Sequence, residues 1–261
     1  MIEPLARLGY LSKACVYVIV GWLAMSAALE RGGEVTDTYG ALRVLLSQPF
    51  GNAMLFVLAT GLCGYALWRL LDAIFDPHAH GRGAGGLVAR GGSVARALVY
   101  GGLGVEAFRL ARGLRGSGGD DVRLWIARLL DYPLGELMVG AAGLVIMGYG
   151  ASEIVTAARE RVGRLIDLSP IPRRMREPLL TISRIGVAAR AAILVVLGYF
   201  LVRAAVTRDA REVHDTRESI LELAGMVDSS WLLTAIALGL LAYSVDQALH
   251  ARCRRIRSPI G

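Results

Sequence analysis

Residues 7–21 read RLGYLSKACVYVIVG, and the pattern returns as RGGSVARALVYGGLG at 90–104 and as RIGVAARAAILVVLG at 184–198. The matched positions are Arg7, Gly9, Lys13, Tyr17 and Gly21; Arg90, Gly92, Arg96, Tyr100 and Gly104; and Arg184, Gly186, Arg190, Leu194 and Gly198. A second half-pattern ends on Gly64-Tyr65, Gly148-Tyr149 and Ala242-Tyr243. The first half shifts by 83 and then 94 residues and the second by 84 and then 94, so both halves were copied as one unit. Three copies of a two-part unit set the domain organisation before any single residue is interpreted.

Each half contains an apolar stretch. The six stretches, roughly 12–29, 52–72, 94–112, 134–157, 185–206 and 230–249, lie near the ~20 residues that a helix needs to cross ~30 Å of hydrocarbon. With 54% hydrophobic residues in 261, the chain is too apolar for an ordinary solvated domain. The expected fold is an all-α integral membrane protein with six transmembrane helices from three parallel two-helix repeats. An even number of crossings per unit gives every copy the same orientation, and the simplest assembly is a pseudo-threefold bundle about the membrane normal. Small residues at matched positions, among them Gly9, Gly21, Gly104 and Gly198, would let neighbouring helices approach closely.

The units span 1–76, 93–158 and 179–252, separated by a glycine-rich linker at 77–92 and an Arg/Pro-rich linker at 159–178, with a basic tail at 253–261. Arg7 and Lys13 before an apolar run, with Ala24-Met25-Ser26 behind it, resemble a signal peptide. The same segment recurs twice inside the chain, so it reads as a retained helix. Within each unit, Asp37–Leu46, Asp121–Leu130 and Asp215–Leu223 carry polar starts and helically spaced apolar residues, predicting short amphipathic helices on the outer surface. Pro49-Phe50-Gly51 and Pro133-Leu134-Gly135 turn the chain back; Val227-Asp228-Ser229 stands in their place in the third unit.

Counting each helix-end cation with its nearest loop, the side bearing both termini holds 18 Lys and Arg and the other side 11, while acids divide 8 to 14. The positive-inside rule then puts both termini in the cytoplasm of a multi-pass bacterial inner-membrane protein. The same excess accounts for the net charge of +7: Arg173, Arg174, Arg176 and the arginines of the tail suit a bilayer with anionic headgroups, and no aromatic interleaving points to nucleic acid. A homo-oligomer is compatible with this reading, and protein partners are not legible.

Cys15, Cys63 and Cys253 have no repeated spacing and suggest neither disulfides nor zinc. His78 and His80 beside Asp76 fit a solvated loop better than a metal site. Gly81-x-Gly83-x-x-Gly86 spells a dinucleotide fingerprint, but no strand precedes it. There is no nucleophile elbow, His-Glu-x-x-His or phosphate loop, so the chain reads as no enzyme and calls for no cofactor or metal.

The Arg-x-Gly-x3-Arg/Lys-x3-Tyr opening, Gly40-Ala41-Leu42, Pro-x-Gly at the turn and GLCGYALW at 61–68 together resemble the bacterial membrane family known as domain of unknown function 1206. The resemblance covers nearly the whole chain and implies three tandem two-helix modules. It implies no activity, ligand or site residue. Leu194 and the stretch around Val227 depart from the pattern.

Polar residues in membrane spans are the candidate sites. Aligned on their tyrosines, the second helices put Arg69, Glu153 and Gln247 one turn after Tyr65, Tyr149 and Tyr243, so a tyrosine ring would lie above a polar ring able to form an Arg69–Glu153 ion pair. Lys13, Arg96 and Arg190 make a basic inner ring. The functional reading is a gated basic vestibule; the plainer reading, favoured on sequence grounds, is that the cations snorkel to headgroups and the tyrosines form an interfacial belt. Glu106, about 15 Å along its helix from Arg96, is a candidate intramembrane acid with Arg109 as intrahelical partner, unless the helix ends near it. Two functions remain. One is a non-enzymatic membrane scaffold or interaction protein, with a bundle centre closed by small and apolar side chains. The alternative is a small permease or channel for a polar or anionic solute, which needs a polar cavity along the axis.

Overall fold

A computed structural model describes residues 2–29, 35–75, 84–114, 119–159, 167–214, 216–225 and 230–253. Their regular structure is helical: α1 Ile2–Ala28, α2 Thr38–Leu46, α3 Gly51–Phe75, α4 Ala84–Ala111, α5 Gly119–Leu130, α6 Gly135–Ala158, α7 Arg173–Thr207, α8 Thr216–Gly225 and α9 Ser230–Cys253, with a 3-10 turn at Ala210–Glu212. Each unit is therefore a long helix, a short helix and a second long helix.

Five long helices, α1, α3, α6, α7 and α9, are long and apolar enough to cross a membrane. The sixth, α4, is long enough at 28 residues but more polar, because Arg96, Glu106 and Arg109 fall in its apolar stretch. Two helices begin earlier than hydropathy suggests. The α4 helix opens at Ala84 inside the glycine-rich linker, and α7 opens at Arg173, so Arg173, Arg174, Arg176 and Pro178 lie on its first turns. The Asp76/His78/His80 cluster, Gly81 and Gly83 of the fingerprint, Val227–Ser229 and the arginines after Cys253 lie outside the described residues.

The three short helices expected within the units form, as α2, α5 and α8. Asp37 caps α2, its carboxylate accepting from the Gly40 N–H at 2.7 Å and satisfying one of the orphan donors at a helix start. Phe50 takes a positive φ of 62° as the chain reverses into α3. A side chain at Gly51 or Gly135 would strike the carbonyls of Leu46 and Leu129, so the chain re-enters the bundle only through glycine at these turns.

The long helices pack in the order α4–α3–α1–α9–α7–α6. Three of these five interfaces join different units, and each is seated on a matched glycine. A Cβ built on Gly21 of α1 lies 2.9 Å from the Leu241 side chain of α9; on Gly104 of α4, 2.7 Å from Cys63 of α3; on Gly198 of α7, 2.7 Å from the Gly143 carbonyl of α6. The other two interfaces close a unit on itself, and each is seated on the earlier glycine of the pattern. A Cβ on Gly9 would strike Tyr65 and lie 2.7 Å from the Gly61 carbonyl, and one on Gly186 would strike the Tyr243 backbone.

The middle unit differs. At Gly92 the added Cβ meets only the end of the Arg96 side chain, at 3.4 Å. Among the described residues no extended contact joins α4 to α6, so the second hairpin is splayed while the first and third are closed.

Candidate functional site

Lys13, Arg96 and Arg190 sit well inside their helices, eleven, twelve and seventeen residues from the starts of α1, α4 and α7. In each unit the cation lies over the tyrosine of its own second helix: Lys13 Nζ is 4.7 Å from the Tyr65 ring, and the guanidinium carbons of Arg96 and Arg190 are 4.9 Å and 5.1 Å from Tyr149 and Tyr243. The basic and tyrosine rings expected from sequence thus form one interleaved cluster rather than two tiers. Cations held against aromatic faces gain roughly 0.5–2 kcal/mol each, most where water is excluded.

Lys13 is the most enclosed of the three. It is 4% exposed, and its ammonium also faces Tyr100 at 4.5 Å, Tyr10 at 5.6 Å and Tyr243 at 5.9 Å. Such a cage leaves no path to headgroups, so snorkelling does not describe it. Arg190 donates from Nε to the Tyr17 hydroxyl at 3.0 Å and from a terminal nitrogen to the Tyr100 hydroxyl at 3.3 Å, and those two hydroxyls lie 3.4 Å apart. Edge-to-face contacts tie the rings together, Tyr65 to Tyr100 at 5.2 Å and Tyr17 to Tyr243 at 4.7 Å.

The expected Arg69–Glu153 pair does not form. Arg69 donates to the Tyr65 hydroxyl at 2.9 Å and the Tyr10 hydroxyl at 3.3 Å and pairs with Asp72 at 3.4 Å, while Glu153 accepts from the Tyr149 hydroxyl at 2.8 Å. Each turns back onto the tyrosine one turn earlier on its own helix, and α3 and α6 do not pack together. Gln247 donates to Asp246 at 2.8 Å, and both are buried.

Sequence reasoning missed Tyr10, and it put Asp72 and Asp246 near the inner boundary as charges at headgroup level, whereas both are buried. Asp72 couples units, accepting from Ser93 on α4 at 3.1 Å as well as pairing with Arg69. Its i+3 spacing from Arg69 was the available signal. Glu106 is 4% exposed, five residues before α4 ends, so the helix does not stop at it; because α4 starts early, it lies toward the outer end. Beside it, burial pushes the Tyr39 phenol above its usual range, and the carboxylates of Asp37 and Glu106 add to that rise.

A cavity of about 350 Å³ fills the gap in the splayed unit. Arg96, Arg190, Tyr17, Tyr100 and Tyr149 line one end. The middle is walled by Val99 and Leu103 of α4, Val145 and Ile146 of α6, and Leu194, Leu197 and Leu201 of α7. Tyr39, Arg123 and His214 stand at the outer end, where Arg123 donates to the Val213 carbonyl at 3.0 Å and pairs with Glu218 of α8. Among the described residues there is no group of three His, Cys, Asp or Glu able to hold a metal, and the three cysteines are free thiols. The arrangement offers cationic and phenolic donors at one end of an apolar trough.

The model of the family described as Domain of Unknown Function (DUF1206) matches three times in tandem, at residues 8–76, 91–160 and 185–254, one match per unit. The chain is also 32% identical over 244 residues to the uncharacterized protein YxxB of Bacillus subtilis (strain 168), covering 94% of this chain and 88% of that protein. No solved structure matches. With three matches that coincide with the three helical units, the chain belongs to the DUF1206 family.

Proposed function

We propose that the protein is a non-enzymatic, multi-pass protein of the bacterial inner membrane that works by binding within the bilayer rather than by conducting solute along its centre. In this reading α4 is a sixth span, the three hairpins lie around a pseudo-threefold axis, and both termini are cytoplasmic. The matched glycines at all three interfaces between units and the cation-over-tyrosine pairs in all three units support the threefold reading. The cation asymmetry supports the orientation. The bacterial relative supports the location.

One observation carries the choice between binding and conduction. The first helices of all three units converge on Lys13, Tyr17, Tyr100 and Arg190, whose side chains bond or stack directly on one another. A permease for a polar solute needs a polar passage there. The cavity instead lies to one side, and its walls are apolar along most of their length.

The test is flux through liposomes containing the purified protein. Chloride, phosphate and small carboxylates should cross no faster than in protein-free liposomes. Anion flux that scales with protein content and is lost in Arg190→Gln would overturn the reading.

A further inference from the structure

We propose that the cleft between α4 and α6 binds a single-chain anionic amphiphile of the fatty-acid class, its acid group between Arg96 and Arg190 and its chain running outward along α7. The inference deepens the binding reading by naming the ligand class. Flux tests that reading, and the experiment below tests the class.

The acid end follows from unused donors. A guanidinium carries five N–H groups. Arg96 commits one to the Gly92 carbonyl and Arg190 commits two to phenol oxygens, and among the described residues neither is ion-paired to a carboxylate. Glu153, one turn after the lining Tyr149, accepts from the Tyr149 hydroxyl. Two cations in an apolar cleft favour an anion with at least two acceptor oxygens, and Tyr149 adds a polar rim.

The chain end follows from the walls. From Arg190 to Leu201, α7 lines the cleft over about 16 Å at ~1.5 Å per residue. Over that length the facing side chains are Val99, Leu103, Val145, Leu194 and Leu197. A volume of about 350 Å³ lies at the lower end of the ~300–1,000 Å³ usual for small-molecule sites, which suits one alkyl chain and not the two of a phospholipid.

The route in follows from the splay. The two lips, Val99 on α4 and Val145 on α6, are 63% and 55% exposed and apolar, and α6 is long and apolar enough to cross a membrane. A ligand with a hydrocarbon tail can enter sideways from the bilayer, whereas a small hydrophilic anion would have to cross the same apolar lips. Cations at one end and apolar walls along the middle, before Asp37, Arg123 and His214 at the far end, suit an amphiphile with its charge at the terminus.

The experiment is equilibrium binding of dansyl-labelled undecanoic acid to the full-length protein in nanodiscs, read by fluorescence. Three comparisons accompany it: the dansyl-labelled alcohol of the same chain length, unlabelled phosphatidylglycerol as competitor, and the variants Arg96→Gln, Arg96→Lys and Leu197→Trp. Arg96 donates a hydrogen bond to the Gly92 carbonyl of its own helix and otherwise lies over the Tyr149 ring, so its substitution leaves the hydrogen bonds of Arg190 to Tyr17 and Tyr100 in place; Leu197→Trp fills the trough without touching charge. The expected result is saturable binding of the acid, with the alcohol about tenfold or more weaker. Arg96→Gln and Leu197→Trp should each weaken the acid by a similar factor, and Arg96→Lys should restore part of the loss. Equal affinity for acid and alcohol would overturn the proposal, as would unchanged affinity in Leu197→Trp. So would displacement of the acid by phosphatidylglycerol at the same mole fraction, which would assign the site to diacyl lipid.

Discussion

The three copies of the glycine at positions 9, 92 and 186 provide an internal control for the splayed middle hairpin. Substituting alanine adds one methyl group at the same place in each repeat. At Gly9 that methyl strikes Tyr65 and lies 2.7 Å from the Gly61 carbonyl and 3.1 Å from the Tyr65 Cα; at Gly186 it strikes the Tyr243 backbone, with the Ala242 carbonyl carbon 2.5 Å away. These obstacles are mostly helix backbone, which cannot rotate aside, so the helices must separate. Overpacking of this kind costs roughly 1–3 kcal/mol, and contacts below van der Waals distance against backbone belong at the upper end. The intrinsic helix gain from Gly to Ala, about 1 kcal/mol, offsets part of that. A net loss of about 1–2 kcal/mol should lower the melting temperature by roughly 2–8 °C for a chain of this size. At Gly92 the only neighbour is the flexible end of Arg96 at 3.4 Å, so Gly92→Ala should leave stability unchanged or slightly raised. The assay is thermal unfolding of the three purified variants in one detergent, followed by tryptophan fluorescence. Equal destabilisation at all three positions would refute the reasoning, because it would mean that α4 and α6 cross closely as the helices of the other repeats do.

Other outcomes follow from the buried polar groups and from topology. In a double-mutant cycle, Arg69→Ala and Asp72→Ala should be non-additive by about 1 kcal/mol or more, since removing either takes away the other's opposite charge in a buried site, while Arg69→Ala and Glu153→Ala should add within about 0.5 kcal/mol. Coupling between Arg69 and Glu153 would restore the ion pair that the helix arrangement lacks. With the native cysteines replaced, a cysteine at Gly261 should resist a membrane-impermeant maleimide in intact cells, and Arg43→Cys on α2 should react. The reverse labelling pattern would invert the orientation.

Much of the fold was legible because repetition averages out local ambiguity. One apolar run with Lys13 inside it is equivocal, but three copies identify a helix. The outer helices were legible from Asp37 and the spacing of Leu42, Leu45 and Leu46, because capping and amphipathicity are local. The splay was not. Gly92 occupies the same place in the pattern as Gly9 and Gly186, and whether a crossing closes depends on what fills the space opposite. In the middle repeat Arg96 donates to the Gly92 carbonyl at 2.9 Å and covers that face while its guanidinium reaches the Tyr149 ring; Lys13 and Arg190 instead reach tyrosines of other units and leave Gly9 and Gly186 bare against their tyrosine helices. The candidate residues themselves were found by spacing, since Lys13, Arg96, Arg190 and the three tyrosines do meet. Their partners were misassigned where rotation about the helix axis decides: spacing puts Arg69 and Glu153 at one level, but only packing determines that each faces its own tyrosine.

Disulfide trapping across the middle hairpin tests the central claim most directly. In a cysteine-free background, Gly92→Cys with Tyr149→Cys places thiols at the positions that touch in the first repeat as Gly9 and Tyr65. Ala66→Cys with Gly101→Cys and Ala205→Cys with Gly140→Cys are positive controls, since each pair brings Cβ atoms to 3.4 Å, near the ~3.5–4.5 Å that a disulfide requires. In membranes under mild oxidation the two control pairs should cross-link and the Gly92–Tyr149 pair should not. Cross-linking of that pair as fast as the controls would show a closed hairpin and contradict the cleft on which the proposed binding site depends.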